Sequence, residues 1–466
     1  MKKRKAVWIL SFLGIFLILS FIIFGNGLVT ESYRLNGKHS MEKVLVSVKN
    51  HMDSHSINAF SLDDINKLKR ELSTEDISYI VQSGLINTSA SNENRSLPVG
   101  LIGVDYMHSL FIGQILEEGS FITQQQEEEG GKVAVIDGEL AWNLFKTEKA
   151  AGETIEIFGD IFRIVGVVKK ENTLIEKLTE DGLPKVYIPA EVMLELDTTS
   201  SITALQIKTE DDDRLGENII DISTALQQIG KNPGNYHIID FNLRYELLKQ
   251  WPLLFLFILG MTAILILLAY MKNSIIKLYF LIKDECKKDY FSNVIKHNDR
   301  VILAYSFEIA LISLGVMLIW LGISFRPYIP PNYIPDELIN ISYYLDLIKN
   351  VIQGGIQNIG YVPPQSQLVM NTANRLMHLF FWITIVLGFL LLYTGFRGFK
   401  ELNITSIRII GVLSIFFFIA LAILAALAPL IGLTFMLEVK DLLVTWSFIF
   451  LYSLHTTMRK ERDINV

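Results

Sequence analysis

KKRKAVWILSFLGIFLILSFIIF, residues 2–24, decides the class of this chain. Four cations, Lys2 to Lys5, precede a run from Ala6 to Phe24 that carries no charge. At about 1.5 Å of rise per residue, a helix of that length crosses the ~30 Å hydrocarbon core of a bilayer. The run is long for a signal peptide, and Gly25-Asn26-Gly27 is the only small-x-small pattern after it, so it reads as a retained anchor.

Outward from this anchor, apolar runs recur at about 253–272, 301–325, 376–397, 407–435 and 441–458, so six spans are expected. The 407–435 run is longer than a crossing needs, and Pro429 predicts a kink or a tilted last turn near its outer end. Composition agrees: 50% of the 466 residues are hydrophobic and 20% are charged, too apolar a balance for an ordinary soluble chain.

Basic residues collect at alternate run ends: Lys2 to Lys5; Lys272, Lys277, Lys283, Lys287, Lys288, Lys296 and Arg300; Arg397, Lys400 and Arg408; Arg459, Lys460 and Arg462. The 326–375 stretch holds only Arg326, Lys349 and Arg375. The positive-inside rule then places both termini in the cytoplasm and residues 28–250 outside the cell membrane. The net charge of −7, with Asp and Glu gathered between 117 and 217, leaves no basic face for nucleic acid. Cys286 is the only cysteine, so neither a disulfide framework nor a cysteine zinc site forms within one chain.

Residues 28–250 are long enough to own a core, and their pattern is mixed α and β. A helix is predicted over Phe60–Ser78, with Ser61 and Asp64 as a capping pair. Lys132–Asp137 reads as a strand, Gly138–Phe145 as a helix, and Glu153–Lys169 as a hairpin turning at Gly159-Asp160. Lys185–Ile188 and Tyr236–Phe241 read as strands, and 212–230 as a helix. In the second outer stretch, Pro327, Pro330, Pro331 and Pro335 make a stiff start. Glu337–Gln353 then presents Leu338, Ile341, Leu345, Leu347, Ile348 and Ile352 at helical spacing, a face for the outer leaflet or for covering the large domain.

Ile102-Gly103-Val104-Asp105, Gly119-Ser120-Phe121, Val133-Ala134-Val135-Ile136-Asp137, Leu140-Ala141-Trp142-Asn143-Leu144-Phe145, Gly152-Glu153-Thr154-Ile155, Phe162-Arg163-Ile164-Val165-Gly166-Val167-Val168 and Val186-Tyr187-Ile188-Pro189 follow one another in order. This succession resembles the periplasmic core domain of the MacB family, and its place between the first two spans fits. Phe307-Glu308, Gly315 and Gly322 resemble the third-span helix of FtsX-like permeases. The resemblance implies an α-helical polytopic membrane protein with a large extracytoplasmic α+β domain between spans 1 and 2. It divides the chain into an anchor (1–27), the core domain (28–250), spans 2 and 3 (251–325) around a cytoplasmic coupling segment (273–300), an outer loop (326–375), and spans 4 to 6 with a short tail (376–466).

Two departures stand beside it. Such permeases have four spans, and their coupling helix begins Glu-Ile-Gly, whereas Lys283–His297 is charged and contains no glycine. Lys283, Asp284, Glu285, Lys287, Lys288 and Asp289 are nonetheless the candidate docking residues, and Glu308 is the candidate intramembrane polar residue.

Catalytic motifs are missing. Gly130-Gly131-Lys132 lacks the spacing and hydroxyl of a phosphate-binding loop, so ATP hydrolysis is expected on a partner ATPase that holds the ATP and magnesium, with no cofactor in this chain. His51 and His55 stand i, i+4 without a carboxylate motif and read as ordinary histidines, and Glu127-Glu128-Glu129 reads as a solvated loop. The resemblance implies a permease subunit working as a homodimer or heterodimer among membrane lipid, with an extracytoplasmic adaptor or hydrolase as a further partner. It would move its outer domain mechanically to export or extract a peptide, lipid or lipoprotein. The alternative is an FtsX-like subunit that activates an extracellular hydrolase or senses an antimicrobial peptide; a polytopic enzyme is disfavoured by the missing motifs.

Overall fold

The computed structural model describes the chain except for residues 1, 40, 50–57, 85–87, 94, 171, 210–214, 288–289, 331–333, 335–339, 358–360, 362, 402–405 and 465–466. His51 and His55 therefore lie outside the described residues. Two compact units are present: Val29–Leu248 with Tyr328–Asn374, built around a sheet, and Met1–Leu28 with Lys249–Pro327 and Arg375–Val466, built of helices.

The sheet unit contains β1 (Lys43–Val48), β2 (Ile77–Gln82), β3 (Thr88–Asn92), β4 (Arg95–Val104), β5 (Leu116–Gly119), β6 (Val133–Asp137), β7 (Thr154–Ile157), β8 (Asp160–Val168), β9 (Lys185–Pro189), β10 (Ser201–Lys208) and β11 (Tyr236–Asp240). Their order is β11-β1-β10-β2-β4-β3-β7-β8-β6-β9, with β5 on β8 and β9 returning to pair with β4. The parallel β4–β9 ladder, Gly100↔Lys185 to Val104↔Pro189, closes six strands into a ring, and β2, β10, β1 and β11 extend from it as an open arm. Closure removes strand edges from one end of the sheet. Side chains alternate along each strand, and one face collects Val44, Val46, Tyr79, Val81, Ile155, Phe162, Ile164, Leu205 and Ile207 into a continuous apolar core.

Local chemistry explains where elements start and stop. Ser61 Oγ accepts from the Asp64 N–H at 3.1 Å, and Asp64 Oδ2 accepts from the Ser61 N–H at 2.9 Å, a full capping box opening the helix Leu62–Glu71. That helix is shorter than the predicted Phe60–Ser78. Ser73 turns the chain at φ 51°, and Ile77, Tyr79 and Val81 then alternate with period two as β2. The hairpin turn also moves: Ile157 pairs with Asp160, so Phe158 and Gly159 form the two-residue loop with φ of 54° and 85°. A type I′ turn needs positive φ at both central positions, which Phe158 and Gly159 supply and Asp160 does not. The helix Gly138–Phe145 has the predicted bounds.

In the second outer stretch the helix runs Ile341–Gln357, while Leu338 lies outside the described residues. Ile341, Leu345, Ile348 and Ile352 are exposed, so this face does not cover the sheet. Residues downstream do: Tyr361 Oη shares a hydrogen bond with Ser47 Oγ on β1, and it donates to Gln367 Oε1 at 2.6 Å.

The helical unit draws on the helices Lys2–Arg34, Phe241–Glu285, Asp299–Ile323, Gln365–Ile383, Phe389–Glu401, Ser406–Leu430 and Val439–Ile464, with a π-helical turn at Thr384–Gly388. Among the described residues five helical segments are long and apolar enough to cross a membrane: Lys5–Arg34, Phe241–Glu285, Asp299–Ile323, Gln365–Phe399 and Ile407–Leu430. The sixth expected span forms the helix Val439–Ile464 but is not among these five; Asp441, His455 and several hydroxyls dilute its apolar run. Small residues let two helices meet closely. A Cβ at Gly14 would lie 2.8 Å from the backbone nitrogen of Leu392, and one at Gly395 would lie 2.3 Å from Ser11 Oγ.

Candidate functional site

The helix Phe241–Glu285 ends in the first candidate docking residues, and Cys286 and Lys287 lead on toward a short helix at Phe291–His297. Lys287 Nζ lies 2.8 Å from Asp284 Oδ1, with side chains 65% and 59% exposed. An ion pair this exposed contributes roughly 0–1 kcal/mol, so both charges can turn to a partner at little cost. Lys283 places its ammonium 5.6 Å from the centre of the Tyr279 ring, and Glu285 is half-buried. Lys288 and Asp289 lie outside the described residues. The charge pattern alone overlooks Tyr279, Phe280 and Tyr290, all exposed in the same stretch; aromatics interleaved with charges were the available signal.

Glu308, on the helix Asp299–Ile323, accepts a hydrogen bond from Ser274 Oγ of the helix Phe241–Glu285 at 2.8 Å. Its carboxylate thereby ties the two helices that flank the docking segment. Gly322 sits where a Cβ would come within 3.0 Å of Val444.

A second polar set, not anticipated from sequence, is buried in the sheet unit. Across β1, β10 and β2 the register sets Leu45, Gln206 and Ser78 side by side, and Ser47, Ala204 and Ile80 in the next row, on the face opposite the apolar core. Lys43, Ser47, Ser78 and Gln206 on this face are fully buried. Lys43 Nζ donates to the carbonyl oxygens of Asn36 at 2.8 Å and Phe111 at 2.5 Å and stands 4.8 Å from the centre of the Phe241 ring. Burial alone pushes this ammonium well below the usual lysine range.

Asp105, just past β4, accepts from Ser78 Oγ and from the Tyr79 N–H. Burial, reinforced by the neighbouring Glu127 carboxylate, pushes its pKa up to about 7. Glu127 corrects the expectation of a solvated acidic loop: only Glu128 and Glu129 are exposed. Glu127 is buried, accepts from Tyr79 Oη at 3.1 Å and from the Tyr106 N–H at 2.7 Å, and its pKa is raised by burial. The capping box of Thr123 and Gln126 begins the helix Gln124–Glu128 that turns Glu127 inward. Burial, with Lys43 nearby, lowers His108 to about 3 and keeps its imidazole neutral. These groups are held toward their uncharged forms, and no cluster of three metal-ligating side chains occurs among the described residues.

Comparison with known proteins shows what this arrangement is similar to. Residues 10–222 match the model of the MacB-like periplasmic core domain. The macrolide export ATP-binding/permease protein MacB of Campylobacter jejuni subsp. jejuni is 29% identical over 142 residues, 29% of this chain and 22% of that protein. The protein of the same name from Aggregatibacter actinomycetemcomitans is 26% identical over 225 residues, 45% of this chain and 33% of that protein. The chain thus matches between about a fifth and a third of the length of these relatives. Similar solved structures include the periplasmic region of MacB from Actinobacillus actinomycetemcomitans (19% identity, 46% of this chain, 94% of that one, TM-score 0.37) and the extracellular domain of the noncanonic ABC-type transporter YknZ from Gram-positive bacteria (16%, 42%, 99%, TM-score 0.33). The resemblance read from the sequence is borne out: the chain is similar to MacB/FtsX-type permeases, a multi-pass membrane protein with a MacB-like extracytoplasmic domain.

Proposed function

We propose that this chain is the permease subunit of an ABC-type system. A separate ATPase hydrolyses ATP with magnesium in the cytoplasm and docks on residues 273–300, and the resulting motion reaches the extracytoplasmic domain to export or extract a peptide, lipid or lipoprotein. The observation that carries this reading is the match over 10–222, which begins inside the first apolar helix and spans the sheet unit up to the helix Glu217–Gln228. Chain order supports it, because the same domain stands between the first two membrane helices. The mechanism is a two-state element biased by nucleotide and needs no chemistry in this chain.

Six spans, cytoplasmic termini and a permease dimer belong to the same proposal. The weak Lys287–Asp284 pair and exposed Tyr279, Phe280 and Tyr290 suit a docking surface that trades a solvated pair for partner contacts and keeps aromatic anchors accessible. The Ser274–Glu308 hydrogen bond would make the two helices move together.

Copurification with the nucleotide-binding subunit, followed by ATPase assay in nanodiscs, is the test. Reversing Lys287 and Lys288 to Glu is expected to weaken assembly by about tenfold or more and to lower the ATPase rate in parallel. If assembly and rate both stay at the wild-type level, docking on this segment is wrong.

A further inference from the structure

A cavity of about 350 Å³ lies within the sheet unit, on the polar face of the sheet. Gln206 of β10 and Tyr187 of β9 form part of one wall; His108, Gln114 and Ser366 contribute from segments covering the sheet. Gln206 is fully buried, and neither its Nε2 nor its Oε1 has a hydrogen-bond partner. His108 Nδ1, Ser366 Oγ and Gln114 Oε1 are likewise buried without one, while Gln114 Nε2 donates to Tyr187 Oη at 2.6 Å. Residues His108 and Ser366 are 5% and 4% exposed. Folded proteins rarely leave so many buried polar atoms unsatisfied around one space, because each has given up its water.

The ionic groups on the cavity wall all have partners. Lys170 pairs with Glu139 and Glu180, Lys185 with Asp181, and Lys169 with Glu117 beyond the wall. Asp137 accepts the Lys185 backbone N–H, and Glu176 accepts from the Thr173 N–H and Oγ1. The unanswered set is therefore neutral and holds both donors and acceptors. An ion would lose its hydration there without a counter-charge, which disfavours charged occupants.

We infer that this cavity binds an uncharged ligand through a secondary amide group. The Gln206 carboxamide donates to the ligand carbonyl and accepts from its N–H, Ser366 and Gln114 supply further partners, and Ile80, Ile102 and Val168 receive an adjoining small alkyl group. Two sources carry such a group, a peptide backbone and an N-acetylated sugar. This inference is independent of the proposed transport role, because the site lies wholly within the extracytoplasmic unit and its occupancy needs no nucleotide.

Isothermal titration of the full chain in nanodiscs, without ATPase or ATP, tests it with two probes: N-acetyl-alanyl-alanine amide and N-acetylglucosamine. Saturable binding of either is expected, and whichever binds identifies the source. Gln206→Leu should weaken that binding by about tenfold or more while leaving the unfolding temperature at or above the wild-type value, since an unpaired buried amide is replaced by an apolar group of similar size. Ser366→Ala and Gln114→Leu should each weaken it by about threefold or more, and they carry the test if the Gln206 variant does not fold. Saturation by neither probe up to about 10 mM, past the weak end of specific affinity, overturns the inference and leaves ordered water as the occupant. Binding that all folded variants retain at wild-type strength overturns it equally.

Discussion

The two faces of the β1–β10–β2 arm are buried by different means. One face is apolar in every row, with Val44, Val46, Tyr79, Val81, Leu205 and Ile207 packed into the main core. The other sets Lys43, Ser47, Ser78 and Gln206 against covering segments and buries them as completely. The first face gains by removing apolar area from water. The second must answer each polar group with a hydrogen bond, shift its ionisation or leave it for a ligand. Lys43, Asp105 and Gln206 illustrate these outcomes in turn. Alternation along a strand is therefore a statement about chemistry on two faces and not about which face meets solvent.

The largest expected effect probes the apolar face. Phe162→Ala should destabilise the domain by about 3–5 kcal/mol, because a fully buried ring leaves a cavity that a closed ring of strands cannot easily collapse. Chemical denaturation checks this; a loss below ~1 kcal/mol would mean that the ring interior is loosely packed.

The next concerns the polar face and depends on pH. Asp105 titrates near 7 in the folded chain against an ordinary 3.8, so between these values the folded state holds a proton that the unfolded state releases. Its contribution is full below the lower value and is lost as pH rises through the upper one. His108, lowered to about 3, acts in the opposite sense over much of the same range, so the wild-type curve alone does not isolate Asp105. Comparing variants does. Asp105→Asn should gain on wild type by on the order of 2–4 kcal/mol between pH 4 and pH 7.5, read from paired denaturation curves. A stability difference that stays constant with pH would show that Asp105 is ionised in the fold.

The smallest returns to the apolar side. Ser61→Ala removes the cap of the helix Leu62–Glu71, whose Ile65 and Leu68 enter the main core, and should cost about 1 kcal/mol. Amide exchange should quicken in its first turn. An unaltered exchange rate would mean that core contacts alone hold the helix end.

Much of the scaffold was legible locally. The apolar run after Lys5 is a membrane-length helix, Gly138–Phe145 is a helix with the expected bounds, and the alternation of Ile155, Ile157, Phe162 and Ile164 is the hairpin. Such signals lie within a few residues of one another, where periodicity and turn chemistry act. β1 and β10 carried the same period-two signal in KVLVSV and SITALQIK but were not among the expected strands. The acidic run was misread for a related reason: Glu127 differs from Glu128 and Glu129 only in the direction its helix turns it.

By itself the sequence determined that this chain has membrane-length apolar helices before and after a mixed α and β domain in chain order, because hydrophobic length and alternation are properties of neighbouring residues. Only the tertiary structure decided that Ser47 is buried beside Tyr361, 314 positions away, and that Gln206 lines a cavity on the polar face of the sheet. Burial depends on which distant segment closes over a side chain, and local composition does not encode the meeting of segments so far apart in the chain.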